Sequence, residues 1–362
     1  MKKINFSQLG MQFPGHQAWR WLMAPLWVLA LATGAKSFEG NPLIGSRALN
    51  KRGLFVARAR FAHFMAGLRR RKLAHLISDQ DRRDFDRQGY ILKPDFLPTE
   101  VFEAIYNEIM MTEGGARQMQ QGHTITRRLP LDRRILKQMP ATRHFLKSHL
   151  WRDLLSYVAA SRCYPMNYVQ SIYTQVRQGR GDPQTVLHSD TFHPTVKAWL
   201  LLTDVGRDDC PLIYVPGSHK LNLRRLAWMR RKSLQMPTPQ DRMSSRGSLR
   251  ITPNELARLG YAEPRALVAT KNTLIVADTS GFHARGQSRY PCTRVEIWGY
   301  GRTNPFLPWT GCDIRGLPGV QDRATPIYWG ILDMMEKLGW RRNPWRRMPP
   351  VPETDHSHRI PR

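Results

Sequence analysis

Three residues of this chain have the types and spacing to hold a metal. His188 and Asp190 stand two apart in HSDTFHP (188–194), and His283 stands in GFHARGQSRYPCTR (281–294). In an extended segment, residues i and i+2 point to the same side. One imidazole and one carboxylate therefore face a common point, and a later strand end can bring the second imidazole to it. Two His and one carboxylate on one face of an iron ion leave three positions open: two for a chelating 2-oxo acid and one for dioxygen. Short HxD triplets arise by chance, so the weight falls on their surroundings. Arg294 follows His283 by eleven residues, in a stretch, CTRVEIWGY, that alternates as a strand and turns Arg294 inward. A buried arginine needs an anion, and the guanidinium fork suits the distal carboxylate of 2-oxoglutarate.

Several segments, taken in order, resemble the phytanoyl-CoA dioxygenase family of Fe(II)/2-oxoglutarate oxygenases. DFDRQGYILKPDFLPTEVFEAI is similar to that family's opening helix–strand–helix, LHSD to its HxD, and KAWLLLTDV to the strand that follows. CPLIYVPGSHK (210–220) is similar to its PGSHK segment, and LIVADTSGFHARGQSRYPCTR to its distal His and Arg; the span covered is about 81–305. The resemblance implies that His188, Asp190 and His283 are the iron ligands and Arg294 the 2-oxoglutarate anchor. Trp199 matches an aromatic lining the cosubstrate pocket, and Ser189 fills the variable middle position of the HxD. It implies Fe(II), 2-oxoglutarate and O2 as cofactor and cosubstrates, with decarboxylation to succinate and CO2 coupled to hydroxylation of an aliphatic C–H bond. Asp190 speaks against halogenation, where a small residue usually replaces the carboxylate. Two positions depart from the family pattern: Asn272 stands where a Gly is usual, and Arg285 where a small residue is usual two past the distal His.

The elements that must position these residues are mostly strands. SIYTQV, KAWLLLTDV, PLIYVPGS, NTLIVADTS and RVEIWGYG are β-branched or aromatic runs divided by Gly, Pro and Asp. Short strands at irregular spacing favour a mainly β double-sheet jelly roll, a cupin-like double-stranded β-helix with flanking helices. The oxygenase domain is expected over 81–340, with a basic, turn-rich insertion at 220–265 and a Pro/Arg-rich, poorly ordered tail at 341–362. Around 81–112 a helix stops at Gly89, a strand covers Tyr90–Leu92, and a helix is capped by Thr99. His193 and His219 are expected at the site rim, and Asp204, Asp208 and Asp209 in turns. The four Cys form no CxxC pair and read as ordinary thiols of a reducing compartment.

The charge is the outlier: 56 Lys and Arg against 28 Asp and Glu give +28. Such an excess implies an anionic neighbour, whether nucleic acid, anionic lipid or phosphorylated substrate. No Gly/aromatic nucleic-acid module accompanies it, which makes a nucleic-acid demethylase the weakest reading. Residues 1–80 read as a basic helical N-terminal region. The uncharged run 21–35, WLMAPLWVLALATGA, is short for a span and is interrupted by Pro25; it fits a membrane-dipping segment, a buried helix or a signal peptide. The stretch 52–77 reads as an amphipathic helix with Phe61, Phe64, Met65 and Leu68 on one face and an Arg cluster around it. Reduced iron and 2-oxoglutarate are supplied inside cells. Together these features place the enzyme at the inner face of the cell membrane, on an anionic surface, acting on a lipid, a lipid-linked substrate or an anionic small molecule. An iron-free membrane-associated binding or scaffold protein is the alternative, and the oligomeric state is open.

Overall fold

The computed structural model describes residues 15–349 except 177–180, 312, 318, 321, 322 and 341; of residues 15–22 and Ile314 only the backbone is described. From the N-terminus come α1 (Gly15–Leu31), α2 (Arg47–Lys51), α3 (Leu54–Leu73), α4 (Asp79–Gln88), β1 (Tyr90–Lys93), α5 (Thr99–Met111), β2 (Arg117–Gln121), β3 (Thr124–Pro130), α6 (Pro140–Lys147), α7 (His149–Ala159) and β4 (Met166–Tyr173). Then follow β5 (His188–Ser189), β6 (Val196–Leu201), β7 (Leu212–Tyr214), α8 (Leu223–Gln235), α9 (Arg242–Ser245), β8 (Leu249–Arg250), α10 (Pro253–Leu259), β9 (Arg265–Leu267), β10 (Leu274–Asp278), β11 (His283–Arg285), β12 (Thr293–Gly301), α11 (Ala324–Lys337) and β13 (Arg346–Arg347).

The strands form two antiparallel sheets. The larger runs β1-β10-β6-β12-β4-β3-β2-β13 and the smaller β8-β5-β11-β7-β9. Strand alternation sorts the apolar residues into layers. Tyr168, Trp199, Leu201 and Trp298 of the large sheet meet Leu212, Tyr214 and Leu267 of the small one in a core between the sheets. The opposite face of the large sheet, with Val169, Leu200, Val276 and Ile297, packs on α5, α6 and α7. This is the jelly roll with outer helices that the strand runs imply.

Asn272 adopts the left-handed conformation, φ 61°, which a short polar side chain tolerates. Its amide also accepts from Leu97 N (3.0 Å) and donates to Leu97 O (2.8 Å). It therefore takes the place of the expected glycine and adds a tether. Gly89 ends α4 at φ 87°, as expected, but Thr99 is the first residue of α5 rather than its cap; Pro98 holds the cap position and offers no side-chain acceptor.

The terminal regions differ most from expectation. The face of α3 that is buried carries Phe55, Arg58, Ala59, Ala62, Met65, Ala66, Arg69 and Leu73, while Phe61 and Phe64 point outward. Alanines at helical spacing let neighbours approach closely, so Ala59, Ala62 and Ala66 mark the packed face together with Phe55, Met65 and Leu73. Three of its arginines are committed to the fold, while Arg60 and Arg71 stay exposed. Arg58 donates to the carbonyls of Leu31 (3.0 Å), Thr33 (2.8 Å) and Ala35 (2.8 Å). Arg69 donates to Ala160 O (2.6 Å) and Pro305 O (3.1 Å), and Arg70 to Val158 O (2.7 Å) and Asp278 Oδ2 (3.0 Å). The run 21–35 falls in the second half of α1 and the turn after it, and no described helix is long and apolar enough to cross a membrane. Residues 220–265 are not a turn-rich excursion: Trp228, Met229, Leu256 and Leu259 form a third core with Phe38, Ile44, Phe55 and Phe282. In the C-terminal region, Arg346–Arg347 pair with β2 and Trp345 packs on the core between the sheets, because Asp333 of α11 binds both Arg117 (2.7 Å) and Arg347 (2.6 Å). Residues 350–362 of the expected tail lie outside the described residues.

The N-terminal region is thus part of the folded domain. Deleting residues 1–80 removes Phe38, Ile44 and Phe55 from a core, each about 1.5–3 kcal/mol of burial, a sum comparable to the whole stability of many domains. A chain beginning at Asp81 should aggregate or melt well below the full-length protein in a thermal denaturation scan. An unchanged melting midpoint would contradict this packing.

Candidate active site

The two histidines are brought together by register. His283 of β11 lies directly opposite His188 of β5, and their rings stand 4.5 Å apart between centroids. Asp190 follows β5 immediately, and its backbone N–H donates to Thr279 O (2.9 Å). Its carboxylate lies 3.6 Å from His188 Nε2 and 3.6 Å from His283 Nε2. These separations are too long for hydrogen bonds. The three ligand atoms lie within 4.8 Å of one another.

The protonation of both rings is fixed by the backbone. His188 Nδ1 is 2.8 Å from Val186 O and His283 Nδ1 is 3.0 Å from Gly281 O. A carbonyl can only accept, so Nδ1–H donates in each ring and Nε2 keeps its lone pair toward Asp190. Burial holds both imidazoles neutral, lowering the pKa of His188 and bringing that of His283 down to about 3. Burial alone would raise Asp190, but Lys197 and the two imidazoles outweigh it and hold the carboxylate well below its usual range. Two neutral imidazole nitrogens and a carboxylate are a donor set that suits iron. His283 Nε2 is buried with no hydrogen-bond partner, and Lys197 Nζ, 2.6 Å from Asp190 Oδ2, places a positive charge against the carboxylate. The residues fit a divalent ion.

These groups open on a cavity of about 520 Å³ between the sheets, lined also by Trp199, Arg294, Trp298 and Trp329. Ser189 is not among these: it is buried facing away, its hydroxyl donating to Thr191 O and Ser280 O, both at 2.8 Å. One-residue alternation along β5 makes this unavoidable. Arg294 lines the cavity, but it already has an anion. Glu296, two residues along the same face, lies 3.0 Å from its Nε, and Arg294 also donates to Cys210 O. Arg285 is likewise paired, with Asp182 at 2.6 Å. Among the described residues Arg128 is not paired with a carboxylate. Its guanidinium stacks on Trp298 at 3.9 Å, and its Nε donates to Gln170 Oε1 (2.8 Å), whose amide donates to Glu296 Oε1 (2.6 Å). His193 and His219 are core residues rather than rim residues. Cys210 and Cys292 are not isolated: their sulfurs are 3.9 Å apart behind Arg294.

Residues 85–249 match the model of the phytanoyl-CoA dioxygenase family. The match supports a 2-oxoglutarate-dependent dioxygenase, and His188, Asp190 and His283 could hold its metal. The matched span contains His188 and Asp190 and ends before His283 and Arg294. No curated protein matches the chain in sequence. Among solved structures it is similar to the non-heme alpha-ketoglutarate-dependent epimerase SnoN of nogalamycin biosynthesis (17% identity, 66% of this chain and 92% of that one, TM-score 0.43). It is also similar to HygX of Streptomyces hygroscopicus with nickel and 2-oxoglutarate bound (15% identity, 67% and 93%, TM-score 0.38) and to EctD of S. alaskensis with bound Fe (17% identity, 63% and 77%, TM-score 0.38).

Burial depresses the pKa of His193 and His219 well below 6.5, aided by Arg302 at the first and Arg70 at the second. Both are neutral in the fold, while the unfolded chain takes up protons below about 6.5. Their contribution is therefore complete above that pH and is lost as pH falls, at up to about 1.4 kcal/mol per pH unit for each ring. The urea midpoint of the metal-free protein should drop between pH 7.5 and 5, and drop less steeply in His219→Gln. Equal midpoints at the two pH values would show that these rings are not buried neutral.

Proposed function

We propose that His188, Asp190 and His283 hold the Fe(II), and that the chain hydroxylates an aliphatic C–H bond of an anionic organic substrate in the cavity. The observation that carries this reading is the meeting of the three ligand atoms, with both Nδ1 atoms committed to carbonyls and both Nε2 atoms free. When bound, the iron would supply dioxygen activation coupled to 2-oxoglutarate decarboxylation. The chain's own residues do the rest. Val186 and Gly281 carbonyls orient the two rings, and the tryptophans exclude water. The end of the cavity at Arg294 receives the distal carboxylate of the cosubstrate. Glu296 already balances Arg294, so the uncompensated charge at that end is Arg128, which the register places level with Gln170 on β4.

A lipid approached from an anionic membrane surface is the narrower version of this reading. Its support is the outer face of α1, where Leu26, Val28 and Leu29 are exposed. The arginines of α3 that bind carbonyls give it none.

The test is succinate release from 2-oxoglutarate together with anaerobic Fe(II) binding. Asp190→Ala and His283→Ala should lose both. Arg128→Met should keep iron binding and raise the 2-oxoglutarate requirement about tenfold or more, the scale of a lost charge-assisted hydrogen bond. Wild-type iron binding in Asp190→Ala would sink the ligand assignment, and an unchanged cosubstrate requirement in Arg128→Met would return the anchor to Arg294 alone. Stimulation of succinate release by lipid extract, and not by water-soluble organic anions, would select the lipid version; the reverse would dismiss it.

A further inference from the structure

The cavity holds more positive charge than the cosubstrate can use. Its lining includes six cationic side chains, Lys36, Arg128, Lys197, Arg285, Arg294 and Arg302, and one carboxylate, Asp190. Arg285 is held by Asp182, and the other five divide into two groups along the β6–β12 pair. Arg294 stands near the start of β12, with Arg128 at its level through Gln170. Lys197 lies opposite Tyr300, and Arg302 follows the end of the strand. Six residues separate Arg294 from Tyr300, about 20 Å of strand. The distal carboxylate of a cosubstrate held at Arg294 is therefore remote from the second group, which lies beside the metal ligand Asp190.

At this second end the positive charges lack carboxylate partners of their own. Lys36 Nζ donates to the backbone carbonyl of Asp190, and Arg302 donates to Gly34 O. Among the described residues Lys197 is paired only with Asp190. A metal ion at Asp190 takes that partner away. Three cations at the cavity wall then face no carboxylate among the described residues, an arrangement that is costly unless a ligand supplies the anion.

Lys36 is built into this position. Arg58 grips the three carbonyls around the turn at 31–35, and Phe38 N–H donates to Ser245 O (2.9 Å). A Cβ at Gly34 would lie 2.9 Å from His193 Nε2 and 3.1 Å from Arg302 Nη2, so only glycine lets the segment come this close.

We infer that Lys36, Lys197 and Arg302 form a receiving site for a carboxylate or phosphate group of the primary substrate, and that the segment after α1 is a wall of the active site. This rests on the reading of His188, Asp190 and His283 as metal ligands. The site would hold the substrate's charged end near the metal, so that a C–H bond a few carbons away is the one presented.

The test uses the full-length protein with Mn(II) in place of Fe(II) and saturating 2-oxoglutarate. The probes are inorganic phosphate, followed by ³¹P relaxation, and ¹³C-labelled acetate. Mn(II) loading is measured separately by electron paramagnetic resonance. At least one anion should show saturable relaxation enhancement. That enhancement should fall at least fivefold in Lys36→Gln and in Arg302→Gln and return in Lys36→Arg, and the responding nucleus tells phosphate from carboxylate. Equal enhancement in wild type and both Gln variants would mean that the anion sits on the metal itself, and would overturn the site, as would no enhancement of either nucleus. Failure of Mn(II) to bind the wild-type protein would instead overturn the ligand assignment, and the anion site with it.

Discussion

One strand pairing carries the active site. β5 is two residues long, and its contact with β11 sets His188 against His283. A slip of one residue would turn one imidazole out of the cavity and bring Ser189 in. So short a strand does not hold register alone. β8 flanks it on the other side, pairing His188 with Arg250 and Ser189 with Leu249, and β7 flanks β11, pairing His283 with Tyr214. The segment 220–265 supplies β8, and its helices share a core with α3 and the residues before it. The N-terminal helices, the inserted helices and the metal-ligand register are therefore one mechanical unit.

Charge is the second constraint. The charged side chains that line the cavity are positive save one, and the compensating carboxylates Asp182 and Glu296 stand behind Arg285 and Arg294. Asp190 is the exception, and it is pulled from several sides by the imidazoles and Lys197. Such a site favours a divalent cation at one point and anions around it. The net charge of +28 is thus partly internal: Arg58, Arg69, Arg70, Arg225 and Arg294 are packed inside, several of them on backbone carbonyls.

The meeting of His188, Asp190 and His283 was legible in the sequence because extended-strand alternation is a local rule, and the strand runs that frame them are apolar and bounded by turn residues. Glu296 was legible by the same rule, two residues from Arg294 on the same face, as was Lys197 two before Trp199. Strands β2 and β3 were hidden because a wall of a polar cavity is itself polar: RQMQQ and TITRRLP lack the apolar alternation of a half-buried strand. Lys36 left no sequence signal, since its meeting with Asp190 spans 154 positions and depends on the packing of three helices. The misreading of α3 has a specific cause. Arginines that bind carbonyls can be buried, and phenylalanines at a helix surface can remain exposed, so side-chain polarity pointed to the wrong face.

The central claim is that the β5–β11 register builds a metal site at His188, Asp190 and His283. Anaerobic crystals grown with Fe(II) and 2-oxoglutarate, measured by anomalous diffraction at the iron edge, test it most directly. The account predicts one strong peak bonded to His188 Nε2, the Asp190 carboxylate and His283 Nε2, with Lys197 Nζ moved off Asp190. An iron peak elsewhere, or Lys197 still paired with Asp190 and no peak between the imidazoles, would contradict it.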